Sequence, residues 1–378
     1  MPALPTAPAP APTPRHHPVF HRVRVASVER LTDDAAVIGF DVPAELREAY
    51  RFAPGQHLTV RLPGEGDVRR NYSVCSSVAE GRLRVAVKRL EGGVFSTYAT
   101  TTLAPGDELE VMTPTGRFTT TLDPARRRHY AAIAAGSGIT PVISIVASAL
   151  AVEAGSRCTV IYANRTTSSI MFLEELEDLK NRYPGRLHLV HILSREAQEV
   201  PLFHGRIDRE RLTRLLAALV PVDTVDEWFL CGPYEMVVEA RQTLLDHGAD
   251  PAHVHLELFH VEGGPPRAAT PPGANGGDGS GVPGPGASAV TIVLDGRETS
   301  FDLERQGEPI LDAALRSRGD APYACKGGVC GTCRAKLLDG QVEMDRNFAL
   351  ESAEIEAGFV LACQSHPLTE SVRLDFDA

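Results

Sequence analysis

The stretch CKGGVCGTC puts Cys325, Cys330 and Cys333 at C-x4-C-x2-C spacing, and Cys363 follows in LACQSHP. This is the ligand spacing of a 2Fe-2S cluster. Each iron requires tetrahedral sulfur coordination, which two cysteines complete beside the two bridging sulfides. Gly327, Gly328 and Gly331 are expected to give the loop positive φ and to bring backbone N–H groups near the sulfurs, where they stabilise an added electron. A zinc site would show two C-x2-C pairs, and a disulfide framework would not crowd three cysteines onto one glycine loop.

A chain of 378 residues is too long for one ordinary core, so two or three domains are expected. With 43% hydrophobic and 23% charged residues it can bury such cores, and no apolar run reaches the roughly 18 residues of a membrane span. The opening MPALPTAPAPAPTPRHHP has no basic start followed by an apolar segment. It therefore reads as a disordered extension over residues 1–18 and not as a secretory signal, and the expected compartment is the cytoplasm, with no membrane partner. The net charge of −11 argues against nucleic acid as a partner. The imbalance is uneven, because residues 288–378 carry 16 acidic and 9 basic side chains.

Residues 262–287, almost all Gly, Pro and small side chains, cannot bury a core and read as a flexible linker. Such a linker would let the last domain dock and swing, against the alternative of a passive spacer with that domain fixed in one pose. Residues 19–125 show short β-type runs, HLTVRL and RLRVAVKRL among them, broken by turn signals such as APGD, which predicts an antiparallel β-barrel. Over 126–261 apolar strands (HYAAIAA, CTVIYAN, LHLVHILS, DEWFLCGP) alternate with helical stretches (PVISIVASALAVEAG, FLEELEDLKNRY, EMVVEARQTLLDHG), which predicts an α/β domain on a parallel sheet. Residues 288–378 begin with a hairpin, AVTIVLDG and ETSFDLE, followed by the helix PILDAALRSRG, the cysteine loop and closing strands. This is an α+β arrangement.

Gly136-Ser137-Gly138-Ile139-Thr140-Pro141 lies between a strand and a helix. Glycines there allow close backbone approach to a diphosphate, Thr140 is placed to cap the helix, and Pro141 suits its first turn. A glycine-rich turn without a ligand is the alternative. In dinucleotide folds the next strand commonly ends in Asp or Glu when the cofactor is NAD. Here it ends in Asn164-Arg165, and the following strand ends in Ser194-Arg195. Guanidinium without carboxylate favours NADPH over NADH, against the alternative that each arginine is merely solvated. In the barrel, RRNYS supplies Arg70, Asn71, Tyr72 and Ser73, while GGVFS supplies Gly92, Gly93, Val94, Phe95 and Ser96. An aromatic plate, a cation and an N–H cradle suit a flavin with its phosphate tail, although a strand tyrosine is more often plain core.

The order of RNYS, GGVFS, GSGITP and CGPYEMV, followed by the ferredoxin cysteines, resembles the ferredoxin–NADP reductase superfamily with a C-terminal ferredoxin domain. The wording from LREAYRFAPGQHLTV through LFHGRID to VRLDFDA is most similar to reductase components of phenylacetyl-CoA epoxidases. That resemblance implies a FAD-binding barrel, an NADP-binding α/β domain and a β-grasp 2Fe-2S domain. It implies that Tyr72 stacks on the isoalloxazine, Arg70 and Asn71 line the FAD site, and Ser73 lies near flavin N5. Gly93, Val94 and Ser96 would hold flavin phosphates, and Gly136, Gly138, Thr140 and Pro141 the NADPH diphosphate. Ser194, Arg195 and Glu196 would form the site for the 2′-phosphate, with Arg165 of the preceding strand end added by the reading above, and Cys231, Gly232 and Pro233 would border the nicotinamide, with Tyr72, Ser73 and Cys231 nearest the reaction. The implied partners are the oxygenase subunits of a multicomponent di-iron epoxidase.

Cys75 and Cys158 lie in apolar runs and read as buried thiols. Paired Glu-x-x-His motifs on helices, which a di-iron oxygenase needs, are missing, since only Glu257 to His260 fits and that segment reads as strand. The chain is expected to pass electrons and not to activate oxygen itself. NADPH yields two electrons together whereas a 2Fe-2S cluster takes one, so a flavin must stand between them. A reductase for a ring-hydroxylating dioxygenase or a steroid hydroxylase has the same motifs, and a flavin and iron–sulfur redox sensor is a third reading.

Overall fold

The computed structural model describes residues 19–62, 69–259, 286–305 and 307–378. The extension at 1–18 and the linker up to residue 285 lie outside the described residues, while residue 287, placed in the linker by composition, opens a strand.

The first sheet is built from β1 (Phe20–Thr32), β2 (Ala35–Asp41), β3 (His57–Arg61), β4 (Arg69–Ser73), β5 (Leu83–Lys88) and β6 (Glu108–Met112). Its order is β4-β3-β6-β1-β2-β5, with every pair antiparallel. A bridge between Val74 and Val85 joins the two edge strands, so the sheet curls into a barrel around Leu58, Val85, Leu109 and their neighbours. Helix α1 (Val94–Thr101) packs on it through Phe95 and Ala99.

The second sheet is parallel and contains β7 (His129–Ala135), β8 (Arg157–Asn164), β9 (Leu187–Leu193), β10 (Glu227–Gly232) and β11 (Val254–Leu258), in the order β11-β10-β7-β8-β9. Helices α2 (Ile139–Val152), α3 (Leu173–Arg182), α4 (Arg209–Leu219) and α5 (Tyr234–Asp246) cover it. The chain runs from β7 outward to β9, then returns to lay β10 on the other side of β7. The crevice between the C-terminal ends of β7 and β10 is thus a topological switch point, where open α/β sheets bind ligands. Helix α4 has no counterpart in the alternation read from sequence, although Asp208 caps it by accepting from Arg211 N at 2.8 Å and Leu212, Leu215 and Leu216 form its buried stripe.

The last sheet orders β12 (Ala287–Leu294), β13 (Arg297–Glu304), β14 (Arg334–Asp339), β16 (Phe359–Leu361) and β18 (Ser371–Asp375) as β13-β12-β18-β14-β16, and β15 (Val342–Met344) pairs with β17 (Ser365–Pro367) beside it. β12 and β13 form the expected hairpin, turning at Asp295 and Gly296, both at positive φ. Helix α6 (Ile310–Ser317) crosses the sheet and α7 (Ser352–Glu356) lies at its end. No helix among the described residues is long and apolar enough to cross a membrane.

Candidate functional site

On the barrel side, the register of β4 against β3 sets Ser73 opposite His57, Tyr72 opposite Leu58 and Asn71 opposite Thr59. Arg70 is exposed, and its guanidinium donates to the Arg69 carbonyl at 2.7 Å. The Tyr72 ring lies 5.3 Å from that of Phe95, which ties β4 to the start of α1. Helix α1 begins after Gly93 with no side chain capping it, so its first amides are open to an anion. A Cβ on Gly93 would stand 2.4 Å from Ser96 Oγ, so glycine is required there. Ser96 Oγ accepts from Leu90 N at 3.1 Å and donates to Gly93 O at 3.3 Å. The hydroxyl therefore shapes the loop from inside, leaving the backbone of Gly93 and exposed Val94 to face outward.

On the sheet side, a Cβ on Gly138 would lie 2.2 Å from the Cys231 carbonyl oxygen, so the turn after β7 rests directly on the end of β10. Gly136, at φ 54°, faces open space. Thr140 does not cap α2 as expected. The cap position falls two residues earlier, at Gly138, with the helix starting at Ile139, and the Thr140 hydroxyl turns back to donate to Ser137 O at 3.0 Å. No side chain caps the helix, so its positive end stays open toward the crevice. Pro141 sits in the first turn, where its missing N–H costs nothing. Across the crevice Gly232 is packed against Ala135 and Met236, and Pro233 leads into α5. Backbone bonds from Ser194 N to Asn164 O (3.0 Å) and from Arg195 N to Arg165 O (2.8 Å) set the loops after β8 and β9 side by side, with both arginines exposed. Glu196 turns away onto Thr167, accepting from its N at 2.8 Å and its hydroxyl at 2.7 Å, contacts that lower its carboxyl.

The two halves meet in a buried polar network. Ser73 Oγ donates to Glu257 Oε2 at 3.0 Å, and Glu257 in β11 is the register partner of Cys231 in β10. Asn71 Oδ1 accepts from Thr59 Oγ1 at 2.9 Å, so the Asn71 amide donates to His57 Nε2 at 3.2 Å. That assigns the imidazole proton to Nδ1, which lies 3.9 Å from Glu257 Oε1. Burial holds the imidazole down to about 4, and burial, opposed by the Ser73 bond, pushes the carboxyl up to about 8. Burial and the neighbouring Glu257 raise the Cys231 thiol well above its usual range. At neutral pH all three are uncharged. Glu257 is a site residue that the motif reading passes over. Its signal is the inverted polarity of VHLEL, in which Leu256 is exposed while Glu257, with a side chain only 15% exposed, points inward.

In the cysteine loop, Cys325 Sγ accepts from Gly327 N at 3.3 Å, Cys330 Sγ from Thr332 N at 3.5 Å and Cys363 Sγ from Gln364 Nε2 at 3.6 Å. A thiol hydrogen bond between Cys325 and Cys330 pulls Cys325 down to about 5 and pushes Cys330 up; the hydrogen bond between Cys333 and Cys363 lowers Cys363 and raises Cys333 in the same way. Among the described residues no three His, Cys, Asp or Glu groups converge on one metal. The sulfurs instead come as two pairs, the arrangement two irons require. Gly328 and Gly331 have the expected positive φ, but at Gly327 the expectation is displaced by one residue, since Lys326 adopts φ 51°.

Family profiles match in three places: "Oxidoreductase FAD-binding domain" at residues 22–120, "Oxidoreductase NAD-binding domain" at 132–242 and "2Fe-2S iron-sulfur cluster binding domain" at 292–368. The chain is 46% identical, over 95% of its length and 98% of the relative's, to a subunit of 1,2-phenylacetyl-CoA epoxidase from Escherichia coli K12. It is 36% identical, over 93% of its length and 95% of the relative's, to the ferredoxin reductase component of 3-ketosteroid-9-alpha-monooxygenase from Rhodococcus rhodochrous. The chain belongs to the oxygenase-reductase family. Its fold matches phthalate dioxygenase reductase with a TM-score of 0.58 at 23% identity, covering 94% of this chain and 98% of that one.

This reductase is an oxidoreductase that moves electrons from NAD(P)H through FAD to a 2Fe-2S cluster. The residues present fit those groups: paired sulfurs with amides aimed at them, an uncapped α1 terminus beside Tyr72 and Arg70, and an uncapped α2 terminus at the switch point. Replacing Cys330 by Ser is expected to abolish the cluster absorbance while the reduced nicotinamide still bleaches the flavin in a stopped-flow trace. Equal loss of bleaching would show that the two redox steps are inseparable.

The buried pair also sets a pH dependence of stability. Glu257 has a folded value above its unfolded one, so its contribution is present below about 4.5 and is lost as pH rises through about 8. His57 is shifted the other way, so its contribution grows from about 4 to 6.5, and the two oppose each other there. Between pH 6.5 and 8 the His57 contribution is complete, so within this pair only Glu257 still changes. The urea midpoint of Glu257→Gln relative to the wild type should therefore rise over that window; parallel curves would show that the carboxyl is ionised throughout.

Proposed function

We propose that this reductase, in the cytoplasm, draws its electrons from NADPH and delivers them to the oxygenase subunits of a multicomponent di-iron epoxidase acting on phenylacetyl-CoA. In this reading residues 19–125 hold FAD, 126–261 hold NADPH, and 288–378 hold the cluster. The observation that carries it is the 46% identity to the E. coli epoxidase component, which extends over all three domains. None of the seven cysteines forms a disulfide, in keeping with a reducing compartment.

Bound FAD supplies the conversion of a two-electron donor into single-electron deliveries. The protein's part is placement. Tyr72, backed by Phe95, offers a flat face for the flavin ring, and Arg70 with the Gly93 and Val94 amides meets its phosphates. Gly136, Gly138 and the open end of α2, with Thr140 and Pro141 in its first turn, receive the nicotinamide dinucleotide's diphosphate. Cys231, Gly232 and Pro233 border the ring that reacts, and Ser73 with Glu257 closes the pocket from the barrel side. Glu257, neutral at pH 7, keeps the carboxyl proton inside the pocket while its Oε2 accepts from Ser73. Cys325, Cys330, Cys333 and Cys363 hold the irons.

The NADPH preference is supported by Arg165, Ser194 and Arg195, drawn together by the bonds between the β8 and β9 loops. Replacing Arg195 by Ala should lower kcat/KM for NADPH by roughly ten- to hundred-fold, through loss of a charge-assisted contact of about 1.5 to 3 kcal/mol, and leave NADH unaffected. A wild type that uses NADH equally well would refute the assignment.

The 36% identity to the steroid monooxygenase reductase supports a second reading, delivery to a ring- or steroid-hydroxylating oxygenase. Reconstitution separates them. Mixed with the oxygenase components of the E. coli epoxidase, the protein should support NADPH consumption matched by epoxidation of phenylacetyl-CoA. Coupling to a 3-ketosteroid hydroxylase component instead would establish the alternative, and failure to turn over with any acceptor would point to a redox sensor.

A further inference from the structure

The cluster domain touches both other domains, and the contacts surround the cysteine loop. Arg69, at the start of β4 and only 5% exposed, lies with its guanidinium carbon 3.8 Å from the Tyr323 ring centroid and 5.0 Å from that of Phe20. Its Nη1 donates to the Tyr323 carbonyl at 3.2 Å. Tyr323 is buried two residues before Cys325. Arg117, in the segment after β6, donates to the Glu354 carboxylate in α7 and, at 2.6 Å, to the Ala349 carbonyl. Tyr234, which follows Cys231-Gly232-Pro233, packs edge-on against Phe348 at 5.5 Å, and Phe348 N bonds to Gly328 O at 3.0 Å within the loop. These three contacts turn one edge of the loop toward Arg70–Ser73 on one side and Cys231–Pro233 on the other. Beside the Tyr323 contact the loop is open, for Cys325 and Lys326 are exposed in this pose, with Lys326 Nζ held by Asp312 at 2.7 Å and 4.7 Å from the Tyr323 ring centroid.

We propose that the face formed by Arg69, Arg117 and Tyr234 is a docking site for the chain's own cluster domain, and that the domain stays docked there while it delivers electrons. The inference rests on the electron-transfer reading above. Of the two electrons taken from each NADPH, each enters singly across the buried Tyr323 edge. Each leaves singly at the exposed Cys325–Lys326 edge to an acceptor protein, so the cluster returns to its starting state after every transfer. An acceptor can reach exposed Cys325 and Lys326 while Tyr323 stays covered by Arg69. Swinging of the domain, which the linker composition permits, is then not part of the delivery.

Two measurements test this. Small-angle X-ray scattering of the full chain is expected to show a compact particle in the wild type and a larger radius of gyration in the double variant Arg69→Gln, Arg117→Glu. In the same variant NADPH-driven reduction of the cluster should slow by roughly ten-fold, as a cation–π contact and a charge-assisted bond are both lost. An unchanged radius would overturn the docking site whether or not the electron-transfer reading stands. In the second, Arg117→Cys and Glu354→Cys are joined by a short bis-maleimide, the native thiols being buried or committed to the cluster, and reduction of cytochrome c is followed above the background of Cys330→Ser. A locked protein that keeps the unlocked rate supports delivery from the docked pose; one that falls to background shows that the domain must leave.

Discussion

Helix α2 is buried along almost its whole length, from Ile139 to Leu150, and the geometry of the site follows from that. A helix apolar on every side has to be covered on every side. The parallel sheet covers one face and the barrel the other, so Ala35, Val37, Cys75 and Ala86 of the barrel belong to the same core as Ile139, Val142 and Val146. The helix's serines do not spoil this core, because the barrel satisfies them: Ser144 Oγ donates to Ser76 O at 2.7 Å, and Ser148 Oγ accepts from Val78 N at 3.0 Å. Barrel and sheet are thereby locked in one register, and Ser73 of β4 meets Glu257 of β11 as a packed contact.

The same burial sorts the charges. Where barrel and sheet close on each other, His57, Glu257 and Cys231 all resist ionisation, since a charge there would be poorly solvated and would act at close to full strength on whatever binds between β4 and β10. Arg70, Arg165 and Arg195, suited to phosphates, stand at exposed positions where their charge costs little. The crevice thus has an uncharged polar interior and a cationic, exposed rim, the division that the proposed placement of rings inside and phosphates outside requires. The cysteine loop follows a third rule, with amides and a side-chain amide directed at sulfur so that negative charge is met by dipoles and not by cations.

What the sequence made legible is what local chemistry determines. Four cysteine ligands at fixed spacing, a glycine turn between a strand and a helix, and a hairpin at Asp295-Gly296 depend on residues close together in the chain. The neutral network does not, because Ser73 and Glu257 are 184 residues apart and their meeting depends on the packing of α2. Arg69 and Tyr323, 254 residues apart, are further from legibility still, since an arginine beside RNYS reads as another phosphate ligand until a second domain covers it. The cap expected at Thr140 falls two residues earlier, at Gly138, and the positive φ expected at Gly327 falls one earlier, at Lys326. Capping and positive φ depend on where a turn begins, a matter of backbone register that motif spacing does not fix.

The docking of the cluster domain illustrates how long-range and short-range electrostatics can differ in sign. The cluster domain is strongly acidic, and the remainder of the chain is net negative as well, so at long range the two repel. What holds them is short-ranged. Arg69 is buried between Phe20 and Tyr323, where salt screens little, whereas the Arg117–Glu354 pair is half exposed on the arginine side and weakens with ionic strength. Added salt therefore relieves the overall repulsion while loosening one contact and sparing the other. An interface of this composition can stay closed over a wide range of ionic strength, and the acidic surface outside it remains available to a partner with a positive face.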